Sequence, residues 1–217
     1  MEPAENPSRE RILARLRTAL RAPAPRHLVA AGETIFAPVT DALERFQKEC
    51  AENNTECLVT PDLGASAAAV ASLLAELPPG EIFIQDAAPL RSMAPMRQGG
   101  RSVRWSSEGS PSEGSQATIT LAESLVAATG SVFVSAACGG REASVVPPVH
   151  IVLAGIEQLV PDLDTAFARL GELDTVPKNS FLCLITGSSR TADIEKILVM
   201  GAHGPRRLVV VLAMRFE

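Results

Sequence analysis

The segment "PVHIVLAG" at residues 148–155 decides the class of fold. It is apolar almost throughout and does not alternate with polar residues. A second run of the same kind, "RLVVVLA", lies at residues 207–213. Strands of this type are buried on both faces, as in parallel sheets that are covered by helices. The two runs therefore predict an α/β domain with a mainly parallel sheet.

Strand and helix patterns alternate along the rest of the chain, which favours a parallel sheet flanked by helices. The predicted strands cover residues 57–60, 81–86, 103–105, 117–120, 131–136, 148–155, 181–186 and 207–213. The predicted helices of this domain cover residues 38–53, 66–77, 162–170 and 191–200. The polar stretch at residues 106–116 is predicted to be a surface loop. We expect one α/β domain at residues 38–217.

A helix is predicted before this domain, at residues 8–21, and is followed by a Pro/Gly linker that ends near residue 37. Ser8 is a suitable N-cap for it. One face of the helix is apolar and the rest carries arginines. The apolar residues are Ile12, Leu13, Leu16 and Leu20. Two interpretations remain open: the helix packs on its own domain, or it docks on a partner.

The composition excludes several classes of function. The net charge is −5, so the chain offers no basic surface of the kind that nucleic acids favour. We expect no secretory signal and no membrane span. The four cysteines include no C-x-x-C pair, so no zinc or iron–sulfur site is expected in this chain. Scattered thiols fit a reducing cytoplasm.

One turn, "TGSSRT", follows the strand predicted at residues 181–186 and precedes the helix predicted at residues 191–200. The amides and the dipole of a helix start attract anions. We therefore expect a carboxylate or phosphate site here, although an ordinary strand-to-helix turn has the same composition. The ligand-binding residues predicted in this turn are Thr186, Gly187, Ser188, Ser189, Arg190 and Thr191, with Thr191 as the N-cap.

A second turn of small residues precedes the strand predicted at residues 131–136. Its residues are Thr129, Gly130 and Ser131. Ligands of parallel α/β sheets bind at the carboxyl edge of the sheet. We expect the two turns to meet at that edge and to share one ligand, although a turn that simply requires glycine would look the same.

Few residues offer proton transfer near these turns. His203 lies between glycines after the predicted helix, and Asp193 lies within it, so both are candidates to handle a proton. His150 is expected to be a hydrogen-bonded histidine of the interior. Arg141 follows a Gly-Gly turn and either clamps a carboxylate or is solvated. No nucleophile–base pair is evident.

The second half of the chain resembles the lactate utilization protein C family, which defines the LUD domain. The resemblance is carried by residues 127–134, 145–167 and 185–213. Its most specific part is Thr-Gly-x-Ser-Arg-Thr-Ala-Asp-Ile-Glu, which starts at Thr186 and is followed by Gly-x-His-Gly-Pro.

The resemblance implies a fold like that of ribose-5-phosphate isomerase, glucosamine-phosphate deaminase and the CoA transferases. It implies a role in L-lactate oxidation to pyruvate beside two partner subunits that carry iron–sulfur clusters, with no cluster held by this chain. Two alternatives remain open. The chain is a non-enzymatic assembly subunit, or it is an enzyme that acts on a sugar phosphate or a CoA ester.

One position departs from the family pattern. Members of the family usually have an acidic residue directly before the Thr-Gly of the first turn, whereas this chain has Ala128. Glu123 stands where the family often has an aspartate. A proton-transfer role at the position of Ala128 is therefore not expected in this chain.

Overall fold

The structure is a computed structural model, and it describes residues 7–21, 38–93, 101–172, 181–194, 197–200 and 204–216. The chain divides into two compact units, Met1–Ala37 and Pro38–Glu217. In the first unit, helix α1 spans Pro7–Ala19. It begins one residue before Ser8, so the prediction of Ser8 as the N-cap is wrong. Proline suits the first turn of a helix because its missing N–H has no intrahelical partner there.

The described part of the second unit contains four α-helices and twelve strands. The helices are α2 (Ala42–Glu52), α3 (Leu63–Ala75), α4 (Ala88–Ser92) and α5 (Leu163–Glu172). The first six strands are β1 (Thr55–Thr60), β2 (Glu81–Ile84), β3 (Ser102–Trp105), β4 (Ser115–Leu121), β5 (Ser124–Val126) and β6 (Ser131–Ser135). The others are β7 (Val149–Gly155), β8 (Leu159–Val160), β9 (Leu182–Ile185), β10 (Arg190–Ile194), β11 (Ile197–Met200) and β12 (Arg207–Ala213).

A six-stranded sheet forms the centre of this unit, with the strand order β1-β12-β7-β4-β2-β3. Every neighbouring pair in it is parallel. The two apolar runs that indicated this fold are β7 and β12, which lie side by side and are buried along nearly their whole length. The predicted α/β fold with a mainly parallel sheet is confirmed.

The two faces of this central sheet are covered differently. Helix α3 packs on one face, where Val209 and Val211 of β12 belong to the core around Val70. The residues that alternate with them, such as Val210, belong to a second core with α2 and with β5 and β6. Strands β8, β5, β6 and β9 form a second sheet in that order, with antiparallel β5–β6 and β6–β9 pairs. A sheet, which the sequence did not predict, therefore shares one face with α2.

The helix predicted at residues 191–200 is wrong. Strands β10 and β11 occupy this region and pair with each other as an antiparallel two-stranded sheet, with Thr191 opposite Val199. The physical reason lies in the residue types, because threonine, isoleucine and valine favour a pleated strand over a helix. Ten residues are also too few for periodicity to separate a helix from two short strands.

Two aspartates begin the helices that flank the central sheet. The side chain of Asp41 accepts a hydrogen bond from the Glu44 amide at 2.9 Å, and that of Asp62 accepts one from the Ala65 amide at 2.8 Å. These bonds satisfy amides that a helix start leaves without partners. Among the described helices, none is both long enough and apolar enough to cross a membrane.

Candidate functional site

The two predicted turns meet through their hydroxyl groups. Ser131 Oγ lies 2.6 Å from Thr186 Oγ1 and donates a hydrogen bond of 2.8 Å to Thr129 Oγ1. Antiparallel pairing of β6 with β9 produces this contact, because Val132 opposes Ile185 and the residues just outside that pair come together. The turns therefore meet in the second sheet. The expectation that they meet at the carboxyl edge of the parallel sheet is wrong.

Both turns also pack against the end of α2. Asn53, which ends this helix, donates a side-chain hydrogen bond of 3.0 Å to the carbonyl oxygen of Thr129. Gly130 has φ +62° and Gly187 has φ +82°. A Cβ on Gly130 would lie 2.7 Å from the Cys50 amide nitrogen, and a Cβ on Gly187 would overlap the Asn53 carbonyl oxygen. Close backbone packing therefore requires glycine at both positions.

The electrostatics of this joint differ from the expected ones. The helix end that the turns contact is the carboxyl end of α2, where the helix dipole is negative. The predicted helix start at Thr191 is replaced by β10, so Thr191 is not an N-cap, and none of the described helices begins at this turn to support an anion. Without a helix dipole, an anion at this turn would be bound by the hydroxyl groups and main-chain groups of the turn.

A shallow pocket of about 450 Å³ lies beside the second turn, and we call it the Gly187 pocket. It is lined by Ser144, residues 183–189, Gly204 and Pro205. Four of the predicted ligand-binding residues are in this wall: Thr186, Gly187, Ser188 and Ser189. The Ser189 amide donates to the Pro205 carbonyl oxygen at 2.8 Å. Because residue 205 precedes β12, the pocket lies at the amino edge of the central sheet.

Ser188 is the residue of this pocket whose hydrogen bonding a ligand would complete. It is only 7% exposed, and its Oγ has no hydrogen-bond partner among the residues that the structure describes. A buried hydroxyl without a partner costs about 1–3 kcal/mol, so native structures rarely leave one unsatisfied. By contrast, Ser144 Oγ donates to the Arg141 carbonyl oxygen at 3.1 Å. The Ser188 hydroxyl therefore keeps an unused capacity to donate and to accept a hydrogen bond.

Cys183 in the same wall is not an activated nucleophile. Burial raises the pKa of its thiol, and the nearby Arg141 only partly opposes that effect. A thiol with a raised pKa holds its proton at neutral pH, and the thiolate is the nucleophilic form. The Arg141 guanidinium itself lies 5.6 Å from the centre of the Phe181 ring, as a cation–π contact.

The remaining predicted site residues fall at the limit of the described chain. Arg190, Thr191 and Asp193 lie on β10, which the structure describes by its backbone alone. His203 lies outside the described residues. Arg190 and His203 adjoin the Gly187 pocket in sequence, since Arg190 follows Ser189 and His203 precedes Gly204.

The position that departs from the family pattern is an interior one. Ala128 is buried, and its amide donates a hydrogen bond of 2.9 Å to the Pro161 carbonyl oxygen. Glu123 accepts a hydrogen bond of 2.5 Å from Ser135 Oγ. This contact holds the carboxylate beside the start of the 3-10 turn that follows β6.

His150 is an interior histidine, as expected. It is fully buried, its Nε2 lies 2.8 Å from Thr120 Oγ1, and its Nδ1 has no partner in the described ranges. Burial lowers the pKa of the ring to about 4, so the ring is neutral near pH 7. Within the described residues, no group of three His, Cys, Asp or Glu side chains is arranged to hold a metal ion.

A second and larger concavity, of about 790 Å³, lies at the carboxyl edge of the central sheet. We call it the switch-point cleft, and it is lined by residues 62–64, Glu157 and residues 214–216. These three segments directly follow β1, β7 and β12. No motif in the sequence indicates this cleft. Only the strand order brings the three segments together.

Comparison with known proteins identifies a matching domain and several relatives. Residues 110–213 match the model of the LUD domain. Lactate utilization protein C of Macrococcus caseolyticus is 33% identical over 97 residues, which are 43% of this chain and 42% of the relative. Lactate utilization protein C of Bacillus subtilis is 31% identical over 126 residues, which are 50% of this chain and 52% of the relative. The chain therefore spans about half, or less, of the length of these two relatives.

A solved structure shares the fold. A DUF162 family protein of Deinococcus radiodurans superimposes with a TM-score of 0.62 at 20% identity, and the match covers 79% of this chain and 96% of that chain. A likeness at this level of identity shows a common fold. The domain match, the relatives and the shared fold agree, and residues 110–213 are similar to the LUD domain.

Proposed function

We propose that this protein is a component of a lactate utilization system and that it binds a small carboxylate in the Gly187 pocket. Two relatives of this chain are named lactate utilization protein C. The most specific motif of the second half of the chain runs through the pocket wall from Thr186 to Ser189.

The observation that carries the site is the unpartnered Ser188 hydroxyl. A hydroxyl both donates and accepts, which suits a 2-hydroxycarboxylate such as L-lactate. Neighbouring main-chain groups of the turn and the Thr186 hydroxyl offer further contacts. We propose that Arg190 orients the carboxylate and that Asp193 or His203 handles a proton, because these residues adjoin the pocket in sequence.

The proposed reaction context is the oxidation of L-lactate to pyruvate. Lactate loses two electrons and two protons in this step, and partner subunits with iron–sulfur clusters would accept the electrons. The chain itself would hold no cluster. Its four cysteines are all free thiols, which supports a reducing cytoplasm as the location.

Isothermal titration calorimetry with L-lactate, pyruvate and inorganic phosphate tests the binding site. We expect wild-type protein to bind at least one of the two carboxylates and Ser188→Ala to bind it about five- to tenfold more weakly, because one hydrogen bond contributes about 1 kcal/mol. Arg190→Ala should lose more, since a charged contact is stronger.

Ser72→Ala is the matched control, because Ser72 is an exposed serine of α3 whose hydroxyl donates to the Ala68 carbonyl oxygen. It should leave the affinity unchanged. Wild-type protein that binds neither carboxylate contradicts the site, and unchanged affinity in Arg190→Ala contradicts the role of that residue.

The second candidate function is that of an assembly subunit, and α1 supports it. Three apolar residues on one face of this helix are largely exposed: Ile12 by 57%, Leu16 by 53% and Leu20 by 82%. Arginines surround them. Such a face suits a partner groove that has an apolar floor and acidic rims.

Deletion of residues 1–25 tests this candidate. We expect the shortened protein to lose co-purification with iron–sulfur subunits of a lactate utilization system while it keeps its far-ultraviolet circular dichroism. Arg9→Gln is the mild control, because its charge lies at the start of the helix and away from Leu16 and Leu20. A complex that survives the deletion intact contradicts the docking role.

A further inference from the structure

The switch-point cleft lies where the connections of the central sheet diverge. From β1 the chain passes to α3, which covers one face of the sheet. From β7 it passes to β8, which belongs to the second sheet on the other face. Strand β12 lies between β1 and β7, and the residues that follow it form part of the cleft wall. Open parallel sheets bind ligands at such a point because the diverging connections leave a crevice there.

Two side chains of opposite charge line this cleft. Glu157 follows β7, and Arg215 follows β12. In the part of the chain that the structure describes, neither forms an ion pair. The Glu157 carboxylate folds back over Gly155, where a Cβ would overlap it. Glycine at the end of β7 therefore allows the carboxylate to reach the mouth of the cleft.

The remaining wall of the cleft is apolar. Leu63 and Phe216 are partly buried and pack against the core around α3, so their positions are fixed by the fold. Met214 lies beside them, and its side chain is exposed. The Met214 amide donates a hydrogen bond of 2.8 Å to the Thr60 carbonyl oxygen, which fixes the main chain at this position. The start of α3 is already capped by Asp62, so its amides are not the basis of this site.

We propose that the switch-point cleft binds a nucleoside phosphate. Arg215 pairs with the phosphate, because guanidinium groups bind phosphate oxygens by two hydrogen bonds. Glu157 accepts hydrogen bonds from the ribose hydroxyls, as an acidic residue does in other parallel α/β folds. Leu63, Met214 and Phe216 pack against the base. A cleft of about 790 Å³ is large enough for such a ligand.

This second site is separate from the Gly187 pocket. The pocket adjoins the residues before β12, and the cleft adjoins the residues after it. A seven-residue strand separates them by roughly 20 Å. Carboxylate binding and nucleotide binding can therefore succeed or fail independently of each other.

Calorimetric titration of the full chain with adenosine 5′-monophosphate tests the cleft, with adenosine and inorganic phosphate titrated separately. We expect the monophosphate to bind at least tenfold more tightly than either part. Arg215→Gln and Glu157→Gln should each weaken it about tenfold or more, because each removes a charged hydrogen bond.

Arg206→Gln is the matched control. Arg206 is also an exposed arginine beside β12, but it lies at the amino end of the strand. This variant should bind the monophosphate as wild type does. The proposal is overturned if the monophosphate does not bind at millimolar concentration, if phosphate alone binds equally well, or if Arg215→Gln and Arg206→Gln have the same effect.

Discussion

At the scale of single residues, the motif around Gly187 combines a structural and a chemical role. Gly187 has a positive φ and packs its backbone closely against Asn53, whereas the buried hydroxyl of the next residue has no partner among the described residues. Sequence reasoning treated the two residues alike, because both suit a ligand-binding turn. The structure separates them: Gly187 joins the turn to α2, and Ser188 faces the pocket.

Gly187→Ala should lower the free energy of unfolding by about 3 kcal/mol. A non-glycine residue at this φ costs roughly 1–3 kcal/mol, and the added Cβ overlaps the Asn53 carbonyl oxygen. Urea denaturation of both proteins at pH 7 measures the difference. Circular dichroism before denaturation should show that the variant is folded.

Gly171→Ala is the control for the glycine-to-alanine change itself. Gly171 lies in α5, and an added Cβ would meet nothing within 4 Å. Alanine is the better helix former, so this variant should gain about 0.5–1 kcal/mol. Equal stability of the two variants would contradict the close contact between the Gly187 turn and α2.

At the scale of elements, the sequence is most informative where burial dictates the pattern. The apolar runs of β7 and β12 can form only strands that are covered on both faces, and both were predicted almost to the residue. Helix α3 was also predicted, because its apolar residues repeat at helical spacing. The secondary structure of long buried elements can therefore be predicted from their local sequence.

The second sheet and the hairpin of β10 and β11 illustrate what local sequence does not contain. Strand β5 has three residues and β8 has two, so neither shows a period. Their strand state depends on pairing with residues that are distant in the chain. The contact of Ser131 with Thr186 was expected, but it arises from that unexpected pairing of β6 with β9.

The same limit applies to the sites. Four residues of the Gly187 pocket, Thr186 to Ser189, were named from sequence because they lie in one continuous segment. The switch-point cleft was missed because its wall comes from three strand ends that lie next to each other only after β12 inserts between β1 and β7. A site built by strand order is not visible before the order is known.

At the scale of the whole molecule, a polar row crosses the interior between the two sheets. Thr118 of β4 opposes His150 of β7, and His150 opposes Leu208 of β12, which in turn opposes Thr55 of β1. Thr55 Oγ1, Thr118 Oγ1 and His150 Nδ1 are all buried and have no partner within the described part of the chain. The layer that joins the sheets is therefore sensitive to an added charge.

This sensitivity makes the stability of the fold depend on pH through His150. The pKa of its ring is about 4 in the folded protein, because burial disfavours the charged form, and about 6.5 in the unfolded chain. Above pH 6.5 both states hold a neutral ring. As the pH falls from 6.5 towards 4, the unfolded chain takes up the proton first, so stability is lost over that range.

We expect wild-type protein to lose about 2 kcal/mol of unfolding free energy between pH 7.5 and pH 5 through this residue. His150→Gln keeps a polar partner for Thr120 but does not titrate, so it should lose distinctly less over the same range. Urea denaturation at the two pH values measures both. Carboxylates with lowered pKa values, such as Glu56 and Asp162, lose their contribution below this range and do not interfere. Equal losses in the two proteins would show that His150 is not the buried group that titrates.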